Sequence, residues 1–545
     1  MITLKNLSFK YQQDHPAVLH NISLHINPGE KVLIVGKNGA GKSTLSKVLG
    51  GLAPGVERGI MDGLYFFEGK EVRLCPRAEI VRKISILFQD FEAQLVCSSV
   101  KEEMLFYLMN LGADYHQAEA EALKIARQFN ITDLLGRDIN ELSGGEKQKI
   151  ALFCLLTVNP EALILDEPFT DIEPDSQKHI ADFLGSDAFG GALILFEQSL
   201  DYYRHFNRIV VLHEGAVLYD GGSGVVCNRD LLEKAGLDVP GPYKVFPSNA
   251  PIAFSNVKAG IGQLFEFEDM AYSAIVQEVP KKSIPVLEVK DLFFKYKGRP
   301  EYVLENINMT IRQGDFWVML GPNGSGKTTL TKCIAGILKP TNGAVYYKGQ
   351  KVKPGDIGYV FQNPDSQIFA ETVFDEVAFS LRMKGEDEHE IRDKVKNVLA
   401  IMGLGEKSAL DPFTLSKGDR QKVACASILV AEPEVIILDE PTTGLDFPSL
   451  REMMNIIKDL NERGKTILMI THSMEAAASF GDTVCAMSAG TVLFHGAPRE
   501  FFTNEKLLSK AKAGRTDVMD LSLQLNGKLL LNMDEFSKCW KAKSP

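Results

Sequence analysis

The sequence predicts an α/β protein made of two tandem copies of one domain, each built on a mainly parallel sheet. Three observations carry that expectation. Blocks of sequence recur at a long offset. Short apolar strands alternate with helical stretches. A glycine-rich G-x-x-x-x-G-K-[ST] segment also stands between a strand and a helix in both copies.

The length of 545 residues exceeds one core and implies two to four domains at ~100–200 residues each. Hydrophobic content of 45% and charged content of 24% are those of a soluble globular chain. The net charge of −11 argues against a nucleic-acid binder held by phosphate contacts. No apolar run approaches the ~18–20 residues that span a bilayer, and "IALFCLLTV" (150–158) reads as buried helix. The opening "MITLKNLSFKY" alternates like a strand and lacks the layout of a signal peptide. Eight scattered cysteines without a CxxC pair indicate neither a zinc site nor a disulfide framework, and fit thiols in a reducing cytosol.

The repeats set the organisation. "LKNLSFKY" (4–11) returns as "VKDLFFKY" (289–296), and "GKNGAGKSTL" (36–45) as "GPNGSGKTTL" (321–330), both at an offset of 285. "LSGGEKQKIA" (142–151) returns as "LSKGDRQKVA" (415–424), and "LILDEP" (163–168) as "IILDEP" (436–441), at 273. The first copy thus carries 12 extra residues around "PGVERGIMDGLYFFEG". The expected domains are 1–225 and 284–510, with a linker over 226–283 and a tail over 511–545. Strands such as "KVLIVG", "ALILDEP" and "GALILFE" alternate with helical stretches such as "YHQAEAEALKIARQFN".

Each glycine-rich segment is a phosphate cradle. Gly36, Asn38, Gly39 and Gly41, like Gly321, Asn323, Gly324 and Gly326, let backbone N–H groups turn inward around phosphate oxygens. Lys42 and Lys327 then reach the β/γ-phosphates. Ser43 with Thr44, and Thr328 with Thr329, supply hydroxyls, of which Ser43 and Thr328 help hold Mg²⁺. Four apolar residues before Asp166 and Asp439 mark strands buried on both faces, and each Asp at the strand end is placed for the Mg²⁺ shell. Glu167 and Glu440 follow, either to polarise the attacking water or to cap the next helix. Ser143, Gly144 and Gly145, and Ser416 with Gly418, stand just before a helix and make a second anion site there.

This set (P-loop, later Gln, LSGG-E/D, LDEP and a distal His) resembles the ATP-binding-cassette (ABC) ATPases over nearly all of both copies. The resemblance implies two tandem P-loop NTPase domains, each with a RecA-like α/β core, an antiparallel β subdomain and a helical subdomain. It implies an intramolecular head-to-tail pseudodimer in which each signature loop closes over ATP on the opposite P-loop. Tyr11 and Tyr296 stand where the family stacks an aromatic on adenine, and a strand-end core aromatic is the other reading. Gln89 and Gln362 stand at the Q-loop position, which senses Mg²⁺ and water, and His472 at the switch position on the γ-phosphate.

The two composite sites implied in this way are unequal. The second P-loop site (Lys327, Thr328, Gln362, Asp439, Glu440, His472), with Ser143, Gly144 and Gly145, has every family position filled. The first (Lys42, Ser43, Gln89, Asp166, Glu167), with Ser416 and Gly418, departs at three places. Gln198 replaces the switch His, Lys417 the first signature Gly, and Glu173 stands where the second copy has Asp446. An amide hydrogen-bonds but does not exchange protons near neutral pH as imidazole does, so the first site is expected to be the slower.

The segment "FQNPDSQIFAETVFDEVAF" (361–379), matched in part by "FQDFEAQLVCSSVKEEMLF" (88–106), resembles the ATPases of energy-coupling-factor (ECF) importers of vitamins and transition-metal ions. The resemblance implies peripheral attachment at the cytoplasmic face of the membrane. It implies docking to a transmembrane T-component, beside a substrate-binding S-component, through Gln89–Val96 and Gln362–Phe369. Asp90, Glu92 and Asp365 would be counter-charges for arginines of that partner; a solvated acidic loop is the other reading. Three alternatives weigh less. A twin-cassette translation factor on ribosomes needs a long charged arm, but residues 225–283 carry 6 Lys/Arg and 7 Asp/Glu among Pro and Gly, so no nucleic-acid partner is expected. In the fused ATPase of sugar importers the second copy is usually the degraded one. A DNA-repair cassette needs a coiled-coil insertion. Neither linker nor tail suggests any chemistry.

Overall fold

The computed structural model describes residues 1–170, 172, 174–244, 246, 261, 264–276, 284–298 and 300–542. The chain divides into two compact units, Met1–Ala253 with Asp446–Pro448, and Phe254–Leu445 with Ser449–Pro545.

In the first unit the apolar runs form a six-stranded sheet. Its order is Ala216–Gly222, Arg208–His213, Lys31–Val35, Ala192–Glu197, Ala162–Asp166, Ile84–Leu87. Neighbours are parallel except the edge pair Ala216–Gly222 and Arg208–His213. A second, antiparallel sheet orders Leu19–Ile26, Ile2–Lys10, Ile60–Phe67 and Lys70–Glu71. The two sheets share one core, in which Ile2, Leu4 and Phe9 meet Val32, Ile164 and Phe196. Three helices, Val100–Asn110, Tyr115–Gln128 and Gly144–Thr157, form the helical part, and the last buries Ile150–Leu156 as its apolar run requires.

The second unit repeats the plan. Its six-stranded sheet orders Gly358–Val360, Val435–Asp439, Thr466–Ile470, Phe316–Leu320, Thr483–Ser488 and Thr491–Gly496. Its antiparallel sheet orders Leu304–Arg312, Pro285–Phe294, Asn342–Tyr347 and Gln350–Lys351. Helices Val373–Met383, Glu388–Ile401 and Lys417–Leu429 match the three above. Every residue of Ala162–Asp166 and Val435–Asp439 is buried, the outcome of four apolar residues in a strand covered on both faces.

The order of strands places the chemistry. In each sheet one strand separates the P-loop strand from the strand ending in Asp-Glu. That middle strand, Ala192–Glu197 or Thr466–Ile470, leads into Gln198 or His472. Because these strands are parallel, all their carboxyl ends open at one edge, where α/β sheets take ligands.

Linker and tail residues meet within the second unit. Strand Phe265–Phe267 pairs antiparallel with Trp540–Ala542. Leu508, Met519, Leu529 and Leu531 join the core of the second cassette. Asn532 donates to the carbonyl of Ala478, 3.3 Å away, in the helix Met474–Phe480 that follows His472. Among the described residues no helix is long and apolar enough to cross a membrane.

Candidate functional site

Each P-loop turns on left-handed glycines: φ is 77° at Gly39 and 96° at Gly41, 74° at Gly324 and 98° at Gly326. A side chain at Gly41 or Gly326 would also press on Leu19 or Leu304. The lysines that follow are buried and fold back over their loops. Lys42 Nζ donates to the carbonyls of Gly36 (2.8 Å) and Lys37 (3.3 Å), and Lys327 Nζ to those of Gly321 (2.8 Å) and Pro322 (3.1 Å). Tyr11 and Tyr296 hydroxyls meet Thr44 Oγ1 (3.1 Å) and Thr329 Oγ1 (3.2 Å). The two residues are 37% and 41% exposed, too open for core aromatics.

In the first unit Glu167 is the convergence point. Gln89 Nε2 (3.0 Å) and Gln198 Nε2 (2.7 Å) both donate to its Oε2. Lys42 Nζ lies 3.6 Å from its Oε1, and Gln148 Nε2 reaches its carbonyl at 3.3 Å. Asp166 Oδ2 accepts from Ser46 Oγ at 3.0 Å, and burial pushes the Asp166 carboxyl up despite Ser43 and Ser46, with Glu167 adding. Its Oδ1 is buried with no hydrogen-bond partner. Glu197, where the second copy has Thr471, buries an Oε1 without a partner, as Gln198 does. Burial raises the Glu197 carboxyl well above its ordinary range, and Glu167 and Asp201 raise it further.

The second unit uses different donors. Asp439 accepts from Thr328 Oγ1 (3.3 Å) and from the Tyr359 hydroxyl (2.8 Å). Glu440 Oε2 accepts from Gln362 Nε2 (3.2 Å) and Thr443 Oγ1 (3.1 Å), and its Oε1 lies 3.2 Å from His472 Nε2. Burial alone would raise the Glu440 carboxyl, but His472, Lys327 and Thr443 outweigh it and hold the group below its ordinary value. Glu167 and Glu440 both take positive φ, 52° and 49°. Among the described residues their carboxylates accept from Gln89 and Gln362 and cap no helix.

The signature serines are helix N-caps. Ser143 Oγ donates to Glu146 Oε2 (2.7 Å) and accepts from the Glu146 N–H, and Ser416 Oγ does the same with Asp419 (2.8 Å). Gly144 has open space where a side chain would stand, whereas one at Gly418 would meet Ser449. Lys417 lies against Gly444, in the loop after Glu440. Glu173 lies outside the described residues.

The segments after the Q-loop glutamines are braced alike. Gln94 and Gln367 Oε1 accept from the N–H of Phe88 and Phe361. Buried Glu103 and Glu376 each accept two N–H groups, of Val96 and Cys97 and of Phe369 and Ala370. Glu92 and Asp365 each pair with a base of their own unit, Lys147 (3.2 Å) and Arg420 (2.7 Å), and keep their other sides open; Asp90 is exposed. Reading the sequence had not assigned Ser46, Gln148, Glu197, Tyr359 or these bases. Gln148, Lys147 and Arg420 stand inside the signature motifs, so the signal is there for three of them.

The family model described as ABC transporter matches residues 19–170 and 304–443. A protein of Caldanaerobacter subterraneus subsp. tengcongensis named as an ABC transporter ATP-binding protein is 36% identical over 99% of both chains. One of Vibrio vulnificus, named likewise, is 30% identical over 96% of this chain and 95% of the other. The solved structure of cbiO1 from Clostridium perfringens, described as part of the ABC transporter complex cbiONQ, is 34% identical with a TM-score of 0.38, over 42% of this chain and 93% of that one.

Proposed function

Because the chain belongs to the ABC transporter family, we propose that it is the energy-coupling ATPase of an ECF-type importer, driving uptake of a vitamin, vitamin precursor or transition-metal ion through separate membrane subunits. The chain binds and hydrolyses ATP. Its two cassettes work as a head-to-tail pair in which the second P-loop site, completed by Ser143, Gly144 and Gly145, does most of the hydrolysis. The first, completed by Ser416 and Gly418, turns over slowly.

The chemistry follows from the side chains. Incoming phosphates displace Lys42 and Lys327 from their loop carbonyls, so each ammonium moves onto the β/γ-phosphates. Adenine stacks on the exposed Tyr11 and Tyr296. Glu440, held ionised, orients the water, and His472 beside it donates to the γ-phosphate. Gln198 in the first site offers Glu167 only an amide.

Mg²⁺ fits this donor set, since buried Asp166 Oδ1 lacks any hydrogen-bond partner, as an oxygen kept for a cation does. Ser43, Gln89 and Asp166 would hold it in one site, and Thr328, Gln362 and Asp439 in the other. Once bound, the ion neutralises phosphate charge.

The observation that carries the importer reading is the braced loop after each glutamine. Glu103 and Glu376 hold turns that leave Val96 63% and Phe369 61% exposed. Phe369 packs edge-on to exposed Phe379 at 4.7 Å. Large apolar groups held out by a rigid loop mark a docking surface, and it lies in the segment that resembles the ECF ATPases. The partner is a T-component beside an S-component, and the chain sits peripherally at the cytoplasmic face of the membrane.

The test is uptake of labelled vitamins and Co²⁺ or Ni²⁺ by membrane vesicles from cells that express the chain with its neighbouring genes. ATP-dependent uptake of one of them, lost in Glu440→Gln and in Phe369→Asp, is expected. ATP-trapped Glu440→Gln sedimenting with ribosomes, with no uptake, would overturn the reading.

A further inference from the structure

Two ion pairs occupy matching places in the two cassettes. In the first unit Lys147 Nζ lies 3.2 Å from Glu92 Oε1; in the second, Arg420 Nε lies 2.7 Å from Asp365 Oδ1. Both acids follow the Q-loop glutamine by three residues and sit in short 3-10 turns, Glu92–Gln94 and Pro364–Ser366. Both bases follow the signature serine by four residues, one turn into its helix. Since the duplication, the copies have come to differ at both positions, Glu with Lys and Asp with Arg, yet each keeps acid against base.

The geometry adds direction. The bases are packed, 19% and 21% exposed, whereas the acids are open, 58% and 43%. Arg420 is also engaged on its far side: its Nη1 donates at 2.7 Å to the carbonyl of Leu415, the residue before Ser416. One guanidinium therefore ties the turn after Gln362 to the backbone that presents the signature serine, in the planar fork that suits Arg and not Lys. Lys147 makes the simpler version of the tie.

We infer that Lys147 and Arg420 are positioning residues for Ser143 and Ser416. Each holds its signature turn to the loop after the Q-loop glutamine, so a cation that engages the open side of Glu92 or Asp365 loosens the serine's anchorage. This rests on the proposed role of the serines at phosphate. It makes the acids switch points between an internal base and an external one. An exposed ion pair alone is worth little; four-fifths burial of the base and the second bond of Arg420 set these apart.

The experiment uses the full chain without any membrane subunit, so its failure leaves the importer reading untouched. Steady-state ATPase is measured for Glu92→Gln, Asp365→Asn and the reversed pairs Glu92→Lys/Lys147→Glu and Asp365→Arg/Arg420→Asp, with ATP affinity measured for each in a Glu440→Gln background. Each single variant is expected to raise KM and Kd for ATP about three- to tenfold, with kcat changed less than about twofold. The reversed pairs recover at least half of the loss. Unchanged KM and Kd in both single variants would overturn the inference, as would reversed pairs no better than the singles at equal Tm. If Tm falls in a single variant, its reversed pair decides: recovery of Tm without recovery of KM also overturns it.

Discussion

The two pockets behind the P-loops share a scaffold and differ in how they handle a proton. In both, the lysine rests on loop carbonyls, the Q-loop glutamine donates to the glutamate after the buried Asp, and a tyrosine hydroxyl meets the threonine at the helix start. They part along the rim of neighbouring strand ends. Glu167 receives two amides on one oxygen, while Glu440 faces an imidazole at 3.2 Å. Glu197 adds a second buried acid where the other pocket has Thr471, and Ile86 stands where Tyr359 donates to Asp439. The residues expected to grip a nucleotide are alike in the two pockets, and those expected to activate water differ.

The largest expected effect comes from removing the glutamates one at a time. Glu440→Gln should lower steady-state ATPase by ~10²–10⁴-fold, the usual worth of a positioned base, while Glu167→Gln leaves at least half. Equal losses would break the comparison outright. Next in size, His472→Gln makes the second pocket copy the first and should cost ~10²-fold in kcat, with KM little changed. The converse is smaller. Gln198→His with Glu197→Thr, assayed in Glu440→Gln so that only the first pocket reports, should raise its residual turnover several-fold; no gain would place the deficit elsewhere, at Lys417 or beyond.

The part of this arrangement that could be read from sequence is the part carried by contiguous residues. Lys42, Asp166, Glu167 and Gln198 each lie at the end of an apolar strand or in a glycine-rich turn, and parallel strands bring such ends together whatever their order. The order itself was not readable, nor was the insertion of Ala192–Glu197 between the other two strands, because nothing local specifies a neighbour in a parallel sheet. Tyr359 is 80 residues from Asp439, and Lys147 is 55 from Glu92. The first exists only once two neighbouring parallel strands have paired, the second only once the signature helix has packed on the turn after Gln89. The pairing of Phe265–Phe267 with Trp540–Ala542 joins stretches that looked unrelated and without chemistry. The internal partners of Glu92 and Asp365 are hidden for the same reason, since their bases sit on another helix.

The smallest effect tests the difference that sequence reading missed. Tyr359 lies between a carboxylate and a hydroxyl, its oxygen 2.8 Å from Asp439 Oδ2 and 3.3 Å from Thr331 Oγ1. In the first pocket Ile86 offers no hydroxyl, and Ser46 donates to Asp166 directly. Both carboxyls are raised by burial, so each needs donors to stay ionised. Tyr359→Phe removes one donor from Asp439 and leaves Thr328, a loss of about 0.7–1.4 kcal/mol, the usual net worth of one hydrogen bond. The half-saturating Mg²⁺ concentration for ATPase should therefore rise about three- to tenfold, with the maximal rate at saturating Mg²⁺ nearly unchanged. Thr331→Val, which touches the tyrosine and not the carboxylate, should move it by less. If Tyr359→Phe instead lowers the maximal rate at saturating Mg²⁺, the hydroxyl acts on Glu440 and the water, and the pockets then differ in chemistry at this position as well.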